Sequence, residues 1–183
     1  AALEAQDAFE AACRQAGARA LEFCAARGLP AVVVLGRPYT IHNPVLNSNA
    51  PALLREQGAI GIPLDCYPVD RSVPVFPDMY WATGQRILRA AHQVRRAPGV
   101  HAIYCSNYSC GPDSFNLHFC AHLLEGKPFA ILETDGHSGD AGTRTRLEAF
   151  LHCVREERGL APGRPARTCD ALALAPLAPG EIR

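Results

Sequence analysis

Hydrophobic positions along this chain change their period repeatedly, and each change marks an element. Residues 2–27 interleave alanines with Glu4, Asp7, Glu10, Arg14 and Glu22, the pattern of an amphipathic helix, closed by Gly28 and stopped by Pro30. Residues 31–35 are a continuous apolar run, which predicts a strand buried on both faces. A polar loop over 36–47 leads to a helix around 50–57, with Gly58 just past its end, and residues 60–64 form a second, weaker strand. Asp78 is placed to cap a helix with Tyr80, Gly84, Ile87, Leu88, Ala91 and Val94 along one face. Residues 100–105 are the third strand. Pro112 suits the first position of the next helix, which carries Phe115, Phe119 and Leu123 on one stripe. Residues 128–132 are the fourth strand, and Asp140 opens a last helix with Leu147, Phe150, Leu151 and Val154 on its apolar face.

Four short strands alternating with helices predict an α/β domain with a four-stranded parallel sheet, covered on both faces by right-handed crossovers. The domain spans residues 1–158, an N-terminal helix at 2–27 followed by four βα units over 31–157. Residues 159–183 have no periodicity and read as a Pro/Ala-rich tail or linker.

Composition adds mostly exclusions. The chain has 183 residues, and 18 basic residues balance 18 acidic ones, so it carries no electrostatic footprint for nucleic acid or an anionic membrane surface. No apolar run approaches the roughly 20 residues that span a bilayer. The first 26 residues are too polar for a signal peptide. A chain that starts without Met is expected to be a fragment or a processed product. Its eight cysteines, at 13, 24, 66, 105, 110, 120, 153 and 169, occur in a chain large enough to fold without staples. Reduced thiols or metal ligands in a cytoplasmic protein are expected in place of a disulfide framework.

The unusual residues gather where the strands end, which is where parallel sheets bind ligands. Arg37, Tyr39, His42, Asn43 and Asn47 follow strand one, and Asp65 and Cys66 follow strand two. Cys105, Cys110, Asp113 and Ser114 fall at or after strand three, and Glu133, Asp135, His137 and Asp140 at or after strand four. The opposite edge holds ordinary turns at Gly58, Gly99 and Gly126. Cys110 precedes a helix start, where free amides and the helix dipole favour a thiolate. By position alone it reads equally as a ligand or as a structural cysteine beside a turn. Cys66 and Cys105 are weaker metal candidates, the latter reading first as a buried strand residue. Cys13, Cys24, Cys120 and Cys153 lie within helices and read as small buried hydrophobes. The set Cys105, Cys110, His118 and His122 is spaced too tightly for a zinc finger, so both histidines read as flank or core residues. Glu133, Asp135 and His137 are a carboxylate–histidine group suited to acid–base work or ligand orientation, or simply a polar loop. The Arg37 to Asn47 stretch offers groups for a carboxylate or phosphate. No GxGxxG, Walker, GxSxG or CxxC motif occurs, so no nucleotide is expected to bind.

Several stretches together resemble a known family: Leu35-Gly-Arg-Pro-Tyr39 with His42-Asn43, Met79-Tyr-Trp81 with Gly84-Gln-Arg-Ile-Leu88, Ser109-Cys-Gly-Pro-Asp-Ser-Phe115, and residues 133–142 with Arg146-Leu-Glu-Ala-Phe150. From about residue 30 to 155 the chain resembles a C-terminal region of the large CoA-substrate-specific enzyme activase-related proteins of bacteria, relatives of the 2-hydroxyacyl-CoA dehydratase system. The resemblance implies a three-layer, flavodoxin-like domain related to dehydratase subunits that hold a [4Fe-4S] cluster through cysteines of more than one domain. There an ATP-driven activator injects one electron, which the cluster passes to an acyl-CoA thioester. Cys110 is the ligand this implies here, in a site completed by another domain of the polypeptide or a dehydratase-like subunit. The chain would then be part of a larger redox enzyme or activase, and not its ATP-hydrolysing part. Two other readings stand beside this one: a non-catalytic docking or scaffold domain, and a small-molecule-binding domain without a cluster.

Overall fold

The computed structural model describes residues 2–134 and 139–159. Its elements run α1 (Ala2–Arg27), β1 (Ala31–Gly36), α2 (Pro38–Ile41), α3 (Ala50–Glu56), β2 (Ile60–Pro63), α4 (Ala82–Arg96), β3 (Val100–Ser106), α5 (Asp113–Leu123), β4 (Phe129–Glu133) and α6 (Asp140–Gly159). The four strands form one parallel sheet in the order β2-β1-β3-β4. The predicted α/β, three-layer, flavodoxin-like class is the one observed. Asp135 and His137, and the tail from residue 160 with Cys169, lie outside the described residues.

Burial follows the sheet order. β1 is central and every residue in it is buried, Val32 to Leu35 at 0% exposure. Each such side chain contributes about 1.5–3 kcal/mol by leaving water. β4 is an outer strand and is only half covered, with Ile131 exposed. Right-handed crossovers put α3 and α6 in contact on one face and α4 and α5 in contact on the other. α1 lies over β2 and β1, beside α4 through Arg86 and Glu10.

Three local expectations are corrected. The loop after β1 contains the short helix α2, started by Pro38, whose fixed φ suits a first helical turn. Asp78 caps nothing: it lies in a turn, α4 begins at Ala82 after Trp81, and Tyr80 is exposed, although Gly84, Ile87, Leu88, Ala91 and Val94 are buried as read. In α5 the expected stripe is turned outward, with Phe115 and Phe119 exposed and Asp113, Asn116, Leu117 and Cys120 buried. The fit of Asp113 to partners on β3 and in the loop after β1 decides that rotation, as described next.

Candidate functional site

The carboxyl edge of the sheet is built on one buried carboxylate. Asp113, the first residue of α5, is 0% exposed and accepts hydrogen bonds from Tyr104 Oη at 2.8 Å and Ser106 Oγ at 3.1 Å. Arg37 Nη2 lies 3.0 Å from its Oδ2, and the Arg37 guanidinium also covers the Tyr39 ring at 4.9 Å. A carboxylate with three partners in the interior is satisfied and already neutralised, so Arg37 and Asp113 order the edge and are not free to hold a ligand. Arg37 Nε has no partner, nor does the amide of Asn116, one turn along α5. Burial, then Asp113, push the Tyr104 hydroxyl far above its ordinary range.

Gly36 makes this junction possible. Its φ is +145°, and a Cβ there would lie 2.6 Å from Cys105 O and 2.9 Å from Ile41 Cγ2. Only glycine lets the chain leave β1 against β3 and turn into α2. Above it, Thr40 donates to Asn107 Oδ1 at 2.9 Å, and Asn107 Nδ2 donates to Thr134 O at 2.7 Å. Thr134 Oγ1 in turn donates to Leu46 O. These bonds tie together the loops after β1, β3 and β4.

The loop carrying Cys110 is wound in an uncommon way. Tyr108, Ser109 and Gly111 have φ of 54°, 52° and 59°, the left-handed region that non-glycine residues rarely adopt. Glu133 holds it there, accepting from Ser109 N at 3.1 Å and Ser109 Oγ at 2.9 Å. Two successive strained residues held by a carboxylate from the next strand are a mark of a constrained functional loop. Cys110 is exposed at its outer face, and the space around Gly111 is open. No side chain caps the N-terminus of α5. Ser114 is exposed.

A second polar group lies at the end of β2. His42 Nε2 is 2.9 Å and Arg86 Nη1 3.0 Å from the two oxygens of Asp65. The group borders a cleft of about 260 Å³ that Arg14, Gln85 and Arg89 also line. Asn43 folds its Oδ1 back onto Val45 N and Leu46 N, shaping the loop. Asn47 donates to Ile41 O at 2.8 Å, leaving its own Oδ1 unpartnered beside a groove of about 470 Å³ along α3 and β2.

The other cysteines separate. Cys105 is wholly buried in β3, its thiol pushed up to about 12 by desolvation, so it is no candidate for a ligand at the surface. Cys24 and Cys120 are core residues as expected, whereas Cys153 is exposed and Cys13 half-buried. Cys66 stands against α1, and burial and then the neighbouring Cys13 raise its thiol. His118 and His122 are exposed on α5. Beyond the candidates named from the sequence, the structure brings Tyr104, Ser106, Asn107 and Thr134 into this edge. A tyrosine inside an otherwise apolar strand was the available signal.

A family model described as "CoA enzyme activase uncharacterised domain" matches residues 1–67. The amino-terminal third of the chain is thus similar to that domain. The match covers α1, β1, α2, α3 and β2 with His42 and Asp65, and Arg86 and the motifs from Met79 onward lie beyond it. It therefore begins earlier and ends sooner than the resemblance read from the motifs. No curated protein and no solved structure matches the chain. Among the described residues no helix is long and apolar enough to cross a membrane.

A [4Fe-4S] cluster needs three or four thiolates. Among the described residues no three His, Cys, Asp or Glu side chains converge on a metal position. Of the cysteines at this edge, Cys110 fits as one exposed donor, while Cys105 is sealed in the core and Cys66 faces α1. The donor set thus fits a single ligand of a shared cluster and not a whole one.

Proposed function

We propose that this chain is a cytoplasmic domain of an iron–sulfur protein of the 2-hydroxyacyl-CoA dehydratase/activase-related group. In this reading Cys110 gives one thiolate to a [4Fe-4S] cluster whose other ligands come from another domain or a dehydratase-like subunit. The bound cluster would supply low-potential, one-electron transfer toward an acyl-CoA-type substrate.

The observation that carries the reading is the exposed Cys110 on a left-handed loop clamped by Glu133 at the end of β3. The similarity of its amino-terminal third to a CoA enzyme activase domain supports it. The residues around the thiol each have a task. Glu133 holds Ser109, and so the Cα of Cys110, in place. Gly111 keeps space for a bulky inorganic group. The positive end of α5 favours an anionic thiolate, and Arg37 neutralises Asp113 so that this carboxylate does not cancel the helix field.

The test is iron quantitation and visible absorbance of the holoprotein isolated anaerobically from its host, with and without Cys110→Ser. The variant is expected to lose the chromophore while its far-ultraviolet circular dichroism is unchanged. Full cluster occupancy in Cys110→Ser overturns the assignment.

A docking role is the second reading, and a specific observation favours it. Tyr108, Phe115 and Phe119 stand exposed on the same loop and the helix that follows it. A face of this kind suits a protein partner. On that reading Cys110→Ser leaves both iron content and activity of the assembly untouched.

A further inference from the structure

The long helix α1 packs on the domain along one narrow stripe that includes Cys13, Gly17, Ala20, Leu21 and Cys24. Of its 26 residues only Gly17 and Cys24 are buried. At Gly17 the helix backbone meets the turn after β2 directly: a Cβ there would sit 1.8 Å from Cys66 O and 3.3 Å from Cys66 Cβ. Cys13 lies one helical turn before Gly17 and so shares the face turned toward that point. The Cys13 side chain is close enough to Cys66 to perturb its thiol.

We propose that Cys13 and Cys66 are a reversible dithiol–disulfide site that fastens α1 to the end of β2. The proposal does not rest on the cluster reading, since neither thiol belongs to the Cys110 loop. Both side chains are half-buried, which lets a small oxidant reach them while the surrounding backbone holds them together. The core cysteines Cys24, Cys105 and Cys120 are sealed by comparison. Burial, and then the neighbouring Cys13, raise the Cys66 thiol, as expected of two sulfurs that crowd one another.

The chemistry is thiol–disulfide exchange with a low-molecular-weight disulfide. One cysteine attacks it, forming a mixed disulfide and releasing one small thiol. The second cysteine then attacks the bound sulfur and releases the other. The pair gives up two electrons and two protons, and the oxidant is reduced to two thiols. The new bond changes what α1 is anchored to. Its other links are the packing of Ala20, Leu21 and Cys24 on the core, the Gly17 contact and the Arg86–Glu10 pair at 3.8 Å. Cys66 adjoins Asp65, which holds His42 and Arg86, so the redox state of the pair also sets how firmly that cluster is seated.

The experiment equilibrates the whole chain over a series of glutathione disulfide to glutathione ratios, quenches in acid, alkylates free thiols and maps cysteine peptides by mass. The expected result is the joint loss of two alkylatable thiols and recovery of Cys13 and Cys66 in one linked peptide, two hydrogens lighter than the separate pair. Amide exchange in α1 should slow in the oxidised form. Cys13→Ser and Cys66→Ser should each abolish the linked peptide. The proposal is overturned if Cys13 and Cys66 stay alkylatable throughout, if each ends as a separate glutathione adduct, or if Cys13 links to another cysteine. The wild-type map decides the matter even where a variant fails to fold.

Discussion

Arg37 Nη2 meets Asp113 Oδ2 at 3.0 Å, joining the loop after β1 to the first turn of α5, with the two side chains only 10% and 0% exposed. Removing one member of a buried pair strands the other charge, which typically costs about 3–5 kcal/mol. Asp113→Asn is therefore expected to lower the urea unfolding free energy by roughly that amount. The double variant Arg37→Met with Asp113→Leu should recover only part of it, because it removes both charges but leaves the buried Tyr104 and Ser106 hydroxyls without their acceptor. A loss under about 1 kcal/mol in Asp113→Asn would mean that the pair is solvated and does not organise the edge.

Gly17→Ala separates two opposite expectations. In an exposed helix interior alanine is favoured over glycine by about 1 kcal/mol. Here the added methyl would fall on Cys66 O, so the substitution is expected to destabilise the protein and loosen α1. Thermal unfolding together with amide exchange of α1 measures both. A stabilised variant would show that the helix does not touch the β2–α4 connection.

Stability should fall in alkali. The Cys105 thiol, ordinarily 9.0, is pushed up to about 12 by burial, and burial also raises Cys120 and Tyr104. The folded state keeps protons that the unfolded chain releases, so this stability is complete below about pH 9 and is lost as pH rises through the folded values. Each such proton is worth about 1.4 kcal/mol per pH unit. Lys127 acts in the opposite sense: burial lowers it from 10.5 to about 8, so stability gains one proton's worth between those values. The expected profile declines slowly between the thiol and lysine thresholds and steeply above 10.5, where Lys127 no longer compensates. Urea midpoints across this range check it, and Cys105→Ala should flatten the descent. An unchanged slope in that variant would remove Cys105 from the account.

Phe115 and Phe119 sit on the outer face of α5, 42% and 44% exposed. Replacing both by serine is expected to change stability by no more than about 1 kcal/mol, as for surface sites. Leu117→Ala, on the buried face, should cost about 2–5 kcal/mol. Denaturant unfolding of the two variants reads the orientation of the helix. Equal and large losses would return the phenylalanines to the core.

Much of the fold could be read along the chain because its cause is local. The apolar run of β1, the stripe of α4 from Gly84 to Val94 and the stripe of α6 from Leu147 to Val154 each record how one element meets the core. Glycines with positive φ at Gly58, Gly99 and Gly126 mark the turns of the amino edge, and the polar loops mark the other. The polar edge was legible in the sequence, with Cys110 and Glu133 among the candidates on it. It was not legible as a network, because nothing near Arg37 in sequence says that its partner opens α5.

Composition and periodicity by themselves determined the order of the elements, the parallel sheet and the edge where the polar loops gather, since burial repeats at the period of a helix or strand. Tertiary structure alone decided the rotation of α5. Its phenylalanine stripe argued for one face and the need to satisfy Asp113 for the other. The buried carboxylate prevailed because an unpaired charge in the interior costs more than two half-exposed rings. The same holds for Cys13 and Cys66, which look like unrelated thiols in the sequence. The close passage of the Gly17 backbone over the end of β2 brings them together.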